Sequence, residues 1–242
     1  MTKSTGKYTK YLAMIENKAL IAHVPETRKY SEEQLARMLR RHKHVMVKPS
    51  GGWGGKGVLK VSAEPRGYEV QNGKQKHRFT SIGDTSKYIR KQGGSYLIVQ
   101  ERIPLARIGG RPYDLRVMVQ RTGRSPWKVT GKLVKVAGKG YMVTNVRLSG
   151  GRVTTFENAV RQSLRAGTSP DEIGRRIDRT ALTAAKQLHR HYKWIRTIGL
   201  DMALDRNGRE WIIEANFQPM LSLFNRLKDK KMYHRILSYV RK

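Results

Sequence analysis

A glycine-rich segment between two apolar strands constrains the fold of this chain more than any other feature. Residues 50–57 contain five glycines in eight positions, after a predicted buried strand at 45–49 and before a second predicted strand at 58–61. This order predicts a hairpin with a flexible, backbone-rich tip. Because glycine lacks a Cβ, its amide can approach phosphate oxygens closely. With Lys48 at the end of the first strand, the segment predicts a phosphate site, the alternative being a plain hairpin tip.

Hydrophobic periodicity predicts a mixture of helices and strands along the rest of the chain. The predicted helices cover residues 8–22, 86–92 and 170–194, with one more after an N-cap at Ser31 and another near the C-terminus. The predicted strands cover residues 96–101, 115–120, 127–136, 198–205 and 211–214. Because turns such as Asn207-Gly208 favour hairpins between these strands, the predicted fold class is α+β.

The balance of charge narrows the choice of partners. Lys and Arg number 50 against 18 Asp and Glu, which gives a net charge of +32. A field of this sign attracts nucleic acid, acidic proteins, anionic lipid and phosphorylated small molecules, although it can also serve solubility alone. Cysteine is absent, which excludes disulfides, thiolate catalysis and Cys-based metal sites. No apolar run approaches the ~20 residues of a membrane span, and the polar start predicts a cytoplasmic protein.

Oxygen ligands in the last two predicted strands indicate a magnesium site. Asp201 lies in one strand of a hairpin and Glu214 lies in the other. Glu214 and Asn216 are two residues apart, so on a strand they point to the same face. Oxygen donors on one face suit Mg²⁺, a hard cation that binds carboxylates together with substrate phosphates. The alternative is a solvated acidic edge, but an acid at the end of an apolar strand is unexpected in so basic a chain.

A third candidate site lies in the strand at 115–120 and just before it. Asp114 and Arg116 share one strand face, and Arg116 could clamp a phosphoryl or carboxylate group. The alternative is a cross-strand ion pair, which the residues alone favour. Residues 100–103 likewise have the composition of an ordinary strand end.

Taken in chain order, these features resemble the ATP-grasp superfamily, and within it the YheC/YheD family of spore-coat-associated proteins. The resemblance rests on residues 6–8, 25–27, 48–57, 100–103, 114–116, 144–145, 199–201 and 214–216. Their order and spacing are also similar to those of glutamate ligases that modify ribosomal proteins. Each motif is weak alone, and together they cover nearly the whole chain.

The resemblance implies a site for ATP and for Mg²⁺, the latter expected as two ions. It implies that ATP phosphates are held by Lys7 and Lys48, with Lys10 as the alternative to Lys7. The loop residues implied to close over the phosphates are Gly52, Gly54, Gly55, Lys56 and Gly57. The segment implied to contact adenine comprises Gln100, Glu101, Arg102 and Ile103.

The same resemblance implies roles around the reacting groups. The implied metal ligands are Asp201, Glu214 and Asn216. The implied catalytic residues are Arg116, which would face the γ-phosphate or the substrate, Lys48, and Asn145 near the metals.

The resemblance further implies an ATP-grasp fold, in which two α+β subdomains with antiparallel sheets grip ATP. We expect an N-terminal helix on the core at 1–24, a small subdomain with the glycine-rich lid at 25–100, and a large subdomain with the Mg²⁺ site at 101–242. Full-length relatives carry a further domain before this core, which we expect the chain to lack. Residues 104–107 contain no acid that could bind the ribose hydroxyls.

The implied activity is an ADP-forming carboxylate–amine ligase that makes an amide through an acyl phosphate. We expect its acceptor to be an acidic peptide, a protein or another polyanion. The alternatives are a catalytically degenerate nucleotide-binding protein and a spore-coat-associated protein that binds polyanions or, without sequence preference, nucleic acid. The resemblance also implies an association with the spore coat, and the sequence does not predict the oligomeric state.

Overall fold

A computed structural model describes residues 4–51, 57–94, 96–141, 144, 146–164 and 167–240. Alternation of apolar and polar side chains along its strands builds two antiparallel sheets. The strands are β1 (Thr27–Lys29), β2 (His44–Pro49), β3 (Leu59–Glu64), β4 (Gly67–Asn72), β5 (Gln75–Phe79), β6 (Leu97–Glu101), β7 (Arg107–Ile108), β8 (Arg111–Gln120), β9 (Lys128–Val136), β10 (Arg152–Thr154), β11 (Thr197–Leu204) and β12 (Glu210–Asn216). The helices are α1 (Lys7–Ile15), α2 (Lys18–Ile21), α3 (Glu32–His42), α4 (Ile82–Gly93), α5 (Val146–Ser149), α6 (Phe156–Ser163), α7 (Pro170–His191) and α8 (Lys231–Val240), with a 3₁₀ turn at Phe224–Arg226.

The first sheet has the strand order β1-β6-β2-β3-β4-β5 and is covered on one face by α3 and α4. Leu35 of α3 and Ile89 of α4 are fully buried against Val45 and Val99 of the sheet. Because side chains alternate along a strand, Lys48 of β2 belongs to the opposite face. That face is polar and borders the second sheet.

The second sheet has the strand order β10-β9-β8-β11-β12, and β7 pairs with β8. Helices α1, α6 and α7 pack on one face, where Ala181, Ala184 and Leu188 of α7 are fully buried. Helix α8 packs on the other face, where Ile236 joins Met118 in a smaller core. The rest of that face borders a cleft toward the first sheet. Side chains of β2 and β6 from the first sheet, of β12 from the second sheet and of α1 line one common cavity there.

The predicted α+β class with antiparallel sheets is confirmed, and so are several local signals. Ser31 Oγ accepts the Gln34 N–H at 3.0 Å, as expected of an N-cap. The predicted helix at 8–22 is instead two helices, because Asn17 interrupts it and caps α2. Strands β1 and β10 and helix α6 have no counterpart among the predicted elements. In the described part of the chain, no helix is both long and apolar enough to cross a bilayer.

Two glycine turns in the first sheet offer a matched test of backbone constraint. Gly67 has a φ of +120°, and a Cβ there would lie 2.1 Å from the Phe79 carbonyl oxygen. Gly73 has a φ of +58° with open space around it. We expect Gly67→Ala to lower the free energy of unfolding by about 3 kcal/mol, because strain and overlap add. Gly73→Ala should cost only about 1 kcal/mol. Urea denaturation measures both, and equal losses would contradict the packing at Gly67.

Candidate active site

The three predicted metal ligands lie together on the hairpin of β11 and β12. Asp201 and Glu214 are direct cross-strand partners, next to a bulge that follows Asp201. Asn216 lies two residues beyond Glu214, and its Nδ2 donates to Asp201 Oδ2 at 3.0 Å. The short turn between these strands brings the two carboxylates into register.

Two cations from neighbouring strands hold the Asp201 carboxylate. Arg116 of β8 donates from Nε at 3.0 Å and from Nη2 at 3.2 Å, so the favoured cross-strand ion pair does form. Lys135 of β9 donates at 2.8 Å and also lies 3.0 Å from Asp114 Oδ1. The Thr144 hydroxyl donates to the other oxygen of Asp114. Sequence reasoning missed Lys135, although it is the one charged residue between the apolar pairs 133–134 and 136–137.

Burial and neighbouring charges shift the pKa values of these groups in opposite directions. Burial disfavours the ionised form of Asp201, but Arg116 and Lys135 hold its pKa well below the usual range. For Asp114, burial raises the pKa despite the nearby Lys135. Burial also disfavours the protonated form of Lys135, yet the two carboxylates raise its pKa. Asp201 is therefore a firmly ionised carboxylate inside the cleft.

Lys48 faces this hairpin from the first sheet. Its ammonium group donates to Gln100 Oε1 at 2.5 Å, and Gln100 Nε2 in turn donates to Thr27 Oγ1 at 2.9 Å. Burial lowers the pKa of Lys48 to about 8, and the charge of Glu214 opposes that shift. Lys48 thus contacts a neutral amide rather than a carboxylate, which leaves its charge available to an anionic ligand.

Lys7 and Lys10 approach the same hairpin from α1. Lys7 Nζ lies 3.4 Å from Glu214 Oε1. Lys10 is buried, donates to the Ala215 carbonyl and lies 5.1 Å from the centre of the Phe217 ring. Lys10 is therefore engaged by the main chain, whereas the Lys7 ammonium group lies against the Glu214 carboxylate. Both lysines line a narrow cavity of about 20 Å³ between the sheets, together with Lys48, Gln100 and Glu214.

Charge within the cleft is unbalanced. Five cationic side chains and three carboxylates interact there in the described part of the chain. The cations are Lys7, Lys10, Lys48, Arg116 and Lys135, and the carboxylates belong to Asp114, Asp201 and Glu214. The excess of positive charge in a poorly hydrated space favours a polyanionic ligand.

The predicted adenine segment forms the connection between the two sheets. The Glu101 N–H donates to the Glu26 carbonyl at 2.9 Å, and the Arg102 N–H donates to the His44 carbonyl at 3.2 Å. Ile103 follows and is buried. The main-chain amides of Glu101 and Arg102 are therefore both engaged by carbonyls of the protein.

Parts of the predicted site lie outside the described residues. They are Gly52, Gly54, Gly55, Lys56 and Asn145. Gly57 at the end of the loop is described, with a φ of +70°. A Cβ there would lie 3.1 Å from Pro49 Cγ, so this turn favours glycine.

The donor types at the hairpin suit magnesium, whereas their present bonds favour cations of the protein. Among the described residues, no group of three or more His, Asp or Glu side chains is arranged for a metal ion. The predicted set combines two carboxylates with the amide of Asn216, and such oxygen donors fit Mg²⁺. Both oxygens of Asp201 accept hydrogen bonds, so a metal ion would have to displace at least one donor.

The sequence profile of the family described as YheC/D-like ATP-grasp matches residues 2–242. The chain belongs to this family. Among curated proteins, it is 29% identical over 202 residues to the endospore coat-associated protein YheD of Bacillus subtilis (strain 168), with 81% of this chain and 44% of YheD covered. It is 24% identical over 221 residues to YheC of the same organism, with 88% of this chain and 59% of YheC covered. The chain therefore spans about half the length of these relatives.

Solved structures confirm the ATP-grasp fold. The ATP-grasp ligase PsnB, complexed with a minimal precursor, superposes with a TM-score of 0.55 at 15% identity, covering 98% of this chain and 60% of PsnB. N5-carboxyaminoimidazole synthase from Aspergillus clavatus, in complex with ADP, superposes with a TM-score of 0.58 at 11% identity, covering 97% of this chain and 50% of that protein. At these identities the likeness concerns the fold alone.

The role of Lys135 in the ion cluster can be tested by its removal. Lys135→Met would leave Asp114 and Asp201 with Arg116 as their main cation, so we expect a loss of about 3–5 kcal/mol in the free energy of unfolding. Adding Asp114→Asn should recover at least ~1 kcal/mol, because it removes the uncompensated carboxylate.

Lys132→Met on the same strand is the matched control for this experiment. Lys132 pairs with Asp178 at 2.7 Å in a more exposed position, so its loss should cost no more than about 1 kcal/mol. Denaturant unfolding of these three variants, of Asp114→Asn alone and of the unaltered protein measures these differences. Additive losses in the double variant would contradict the coupling between Lys135 and Asp114.

Proposed function

We propose that the chain is an ATP-dependent, ADP-forming carboxylate–amine ligase. The observation that carries this proposal is the cross-strand pair of Asp201 and Glu214, which faces Lys7 and Lys48 across the cleft. Family membership supports nucleotide-dependent ligation in general, and the arrangement of charges supports a triphosphate as the ligand. The oxygen donors would bind magnesium, and the lysines would bind the phosphates.

The charge excess of the cleft matches the proposed nucleotide. Five cations against three carboxylates leave an excess of two positive charges among the described residues. ATP carries a net charge of about −4, so the excess cations would attract it, and the proposed Mg²⁺ ions would neutralise the rest of its phosphate charge. Lys7 and Lys48 would contact phosphate oxygens, and the glycine-rich segment 51–57 would close over them.

Asp201, Glu214 and Asn216 would hold Mg²⁺, proposed as two ions, whose chemistry is to neutralise the phosphate charge and align the γ-phosphate. Binding would require Arg116, Lys135 or Asn216 to release part of the Asp201 carboxylate, and we propose that Arg116 or Lys135 does so. Either cation would then be free to contact the transferred phosphoryl group. Asn145 is proposed to assist from the adjoining segment.

The proposed reaction has two steps. A substrate carboxylate oxygen attacks the γ-phosphorus, the bond to the β–γ bridging oxygen breaks, and ADP leaves an acyl phosphate behind. An amine nitrogen then attacks the acyl carbon, phosphate departs, and the nitrogen loses a proton to give an amide. Positioning and charge neutralisation by Arg116, Lys48 and Lys135 would supply most of the rate, since the protein forms no covalent bond.

The segment 100–103 between the two sheets and the surface charge support the proposed sites for adenine and for the acceptor. Residues 100–103 would hold adenine, with the Ile103 amide facing the base. The net charge of +32 supports an acidic peptide, protein or other polyanion as acceptor. The division into segments 1–24, 25–100 and 101–242 is part of the proposal, as are a cytoplasmic location and an association with the spore coat like that named for YheD.

Glu214→Gln tests the ligase proposal most directly. The amide keeps the shape of the side chain but removes the charge that would hold a metal ion, so we expect ADP release with acid and amine substrates to fall at least ~100-fold. Magnesium-dependent nucleotide binding, followed by calorimetry, should weaken as well. Glu33→Gln on the exposed side of α3 is the control and should match the unaltered protein. Equal ADP release by all three proteins would remove the ligase assignment.

The low pKa of Lys48 predicts a pH dependence of nucleotide binding. Lys48 loses its proton as pH rises through about 8, so ATP affinity should decrease above that pH. The free energy of unfolding of the free protein should instead increase with pH above about 8. The unfolded chain keeps this proton up to a pH of about 10.5, whereas deprotonation of the folded protein removes a buried charge. Titration of ATP between pH 7 and 9.5 measures the first effect. Lys48→Arg, which stays charged, should flatten the curve, and an unchanged slope in that variant would assign the effect to another group.

A further inference from the structure

A basic and aromatic surface lies at one end of the second sheet, outside the cleft. At this end β8 and β12 finish while β9 and β11 begin. The sheet-end surface is formed by Arg121, Lys193, Trp194, Arg196 and Phe217. It joins segments that come from three distant parts of the sequence.

Acidic residues are missing from the three sequence segments that form this surface. The sequence contains no Asp or Glu in residues 115–156, 179–200 or 215–228. In the described part of the chain, none of the three cations of this surface forms a salt bridge. Burial together with the charges of Arg121, Arg196 and Lys193 lowers the pKa of the adjacent His189. The surface therefore carries positive charge that the protein itself does not neutralise.

An aromatic ring and main-chain carbonyls hold Arg121 and Arg196 in place. The Arg121 guanidinium lies 5.8 Å from the Trp127 ring centre, and the Arg121 N–H donates to the Arg196 carbonyl at 2.9 Å. The Arg196 guanidinium donates to the carbonyls of Lys193 at 2.7 Å and Ile195 at 2.9 Å. Because these side chains are ordered before any ligand arrives, binding would cost less conformational entropy.

One large ring of this surface is open to solvent. Trp194 is 57% exposed, and its edge-to-face contact with Phe217, at 5.6 Å between ring centres, fixes its orientation. Phe217 is itself braced by Tyr192 at 4.8 Å. An exposed indole beside fixed cations suits a ligand that is both anionic and partly apolar.

We propose that the sheet-end surface binds an acidic polypeptide segment, with carboxylates on Lys193, Arg196 and Arg121 and an apolar side chain on Trp194. This inference rests on the proposed function, because it names the acceptor that the ligase would use. Phe217 follows Glu214 by three residues, which is about 10 Å along an extended strand. An extended peptide held at the surface would therefore cover the distance to Glu214 with about three residues.

A peptide fits the surface better than single-stranded nucleic acid does. Proteins that bind single strands stack successive bases on several exposed rings along a groove. Among the described residues of this surface, only Trp194 is exposed to that degree. Carboxylate side chains along an extended peptide, by contrast, need cations at short intervals and a single apolar anchor.

Fluorescence anisotropy with a labelled, glutamate-rich octapeptide that contains one leucine tests the proposal in the absence of nucleotide. Lys193→Gln combined with Arg196→Gln should weaken binding about tenfold, because two carboxylate contacts are lost. Trp194→Ala should weaken it about fivefold, and Trp194→Phe should restore part of the loss. Lys87→Gln combined with Lys91→Gln on α4 makes the same change in net charge elsewhere and should stay within about twofold.

Three outcomes would overturn the proposal. One is an equal loss in the α4 control, which would indicate attraction by net charge alone. Another is equal binding of the same peptide with glutamine in place of glutamate. The third is tighter, Trp194-dependent binding of a single-stranded oligonucleotide, which would assign the surface to nucleic acid. Since no nucleotide is present, failure of ADP release leaves the peptide result intact, and the two proposals fail separately.

Discussion

The ion cluster around Asp201 is the interaction on which the rest of the cleft depends. A carboxylate and two cations are largely removed from water there, and each such ion costs several kcal/mol unless close partners offset the loss. The three groups come from three adjacent strands, since Arg116, Lys135 and Asp201 lie on β8, β9 and β11. A slip of one residue in any of these strands would turn its charge toward the face covered by α7. The cluster and the register of the sheet therefore depend on each other.

The parts of the site that were predictable are those set by short-range structure. A tight turn at Asn207-Gly208 brings Asp201 opposite Glu214, so spacing along the sequence is enough to place them together. Lys135 is different, because its carboxylate partners lie on other strands, 21 residues before it in one case and 66 residues after it in the other. Only its isolation among apolar residues could have marked it. Spacing also could not decide between the two lysines of α1, since residues three apart share one helix face.

In the fold as well, features set by nearby residues were predictable and features set by distant strands were not. Ser31 marks the start of α3 because the cap is formed with an amide only three residues away. The three-residue strands β1 and β10 are too short to show a period, and they exist because β6 and β9 offer them free edges. Asn17 interrupts an apolar pattern that would otherwise continue, since its side chain caps a new helix. Periodicity predicts what a segment can form, and the neighbouring strands decide where it ends.

Net charge indicates function only when the cations are sorted by the groups that they contact. Arg28 and Lys132, for example, pair with carboxylates and thereby serve the fold. With an excess of 32 cations over acids, most basic side chains have no such partner and would ordinarily sit in solvent. The informative ones are those held in place without a carboxylate, as Lys48 is by an amide and Arg196 by main-chain carbonyls. Both groups bear a cost of ordering in the free protein, and the buried Lys48 bears a cost of desolvation as well, which an anionic ligand would offset.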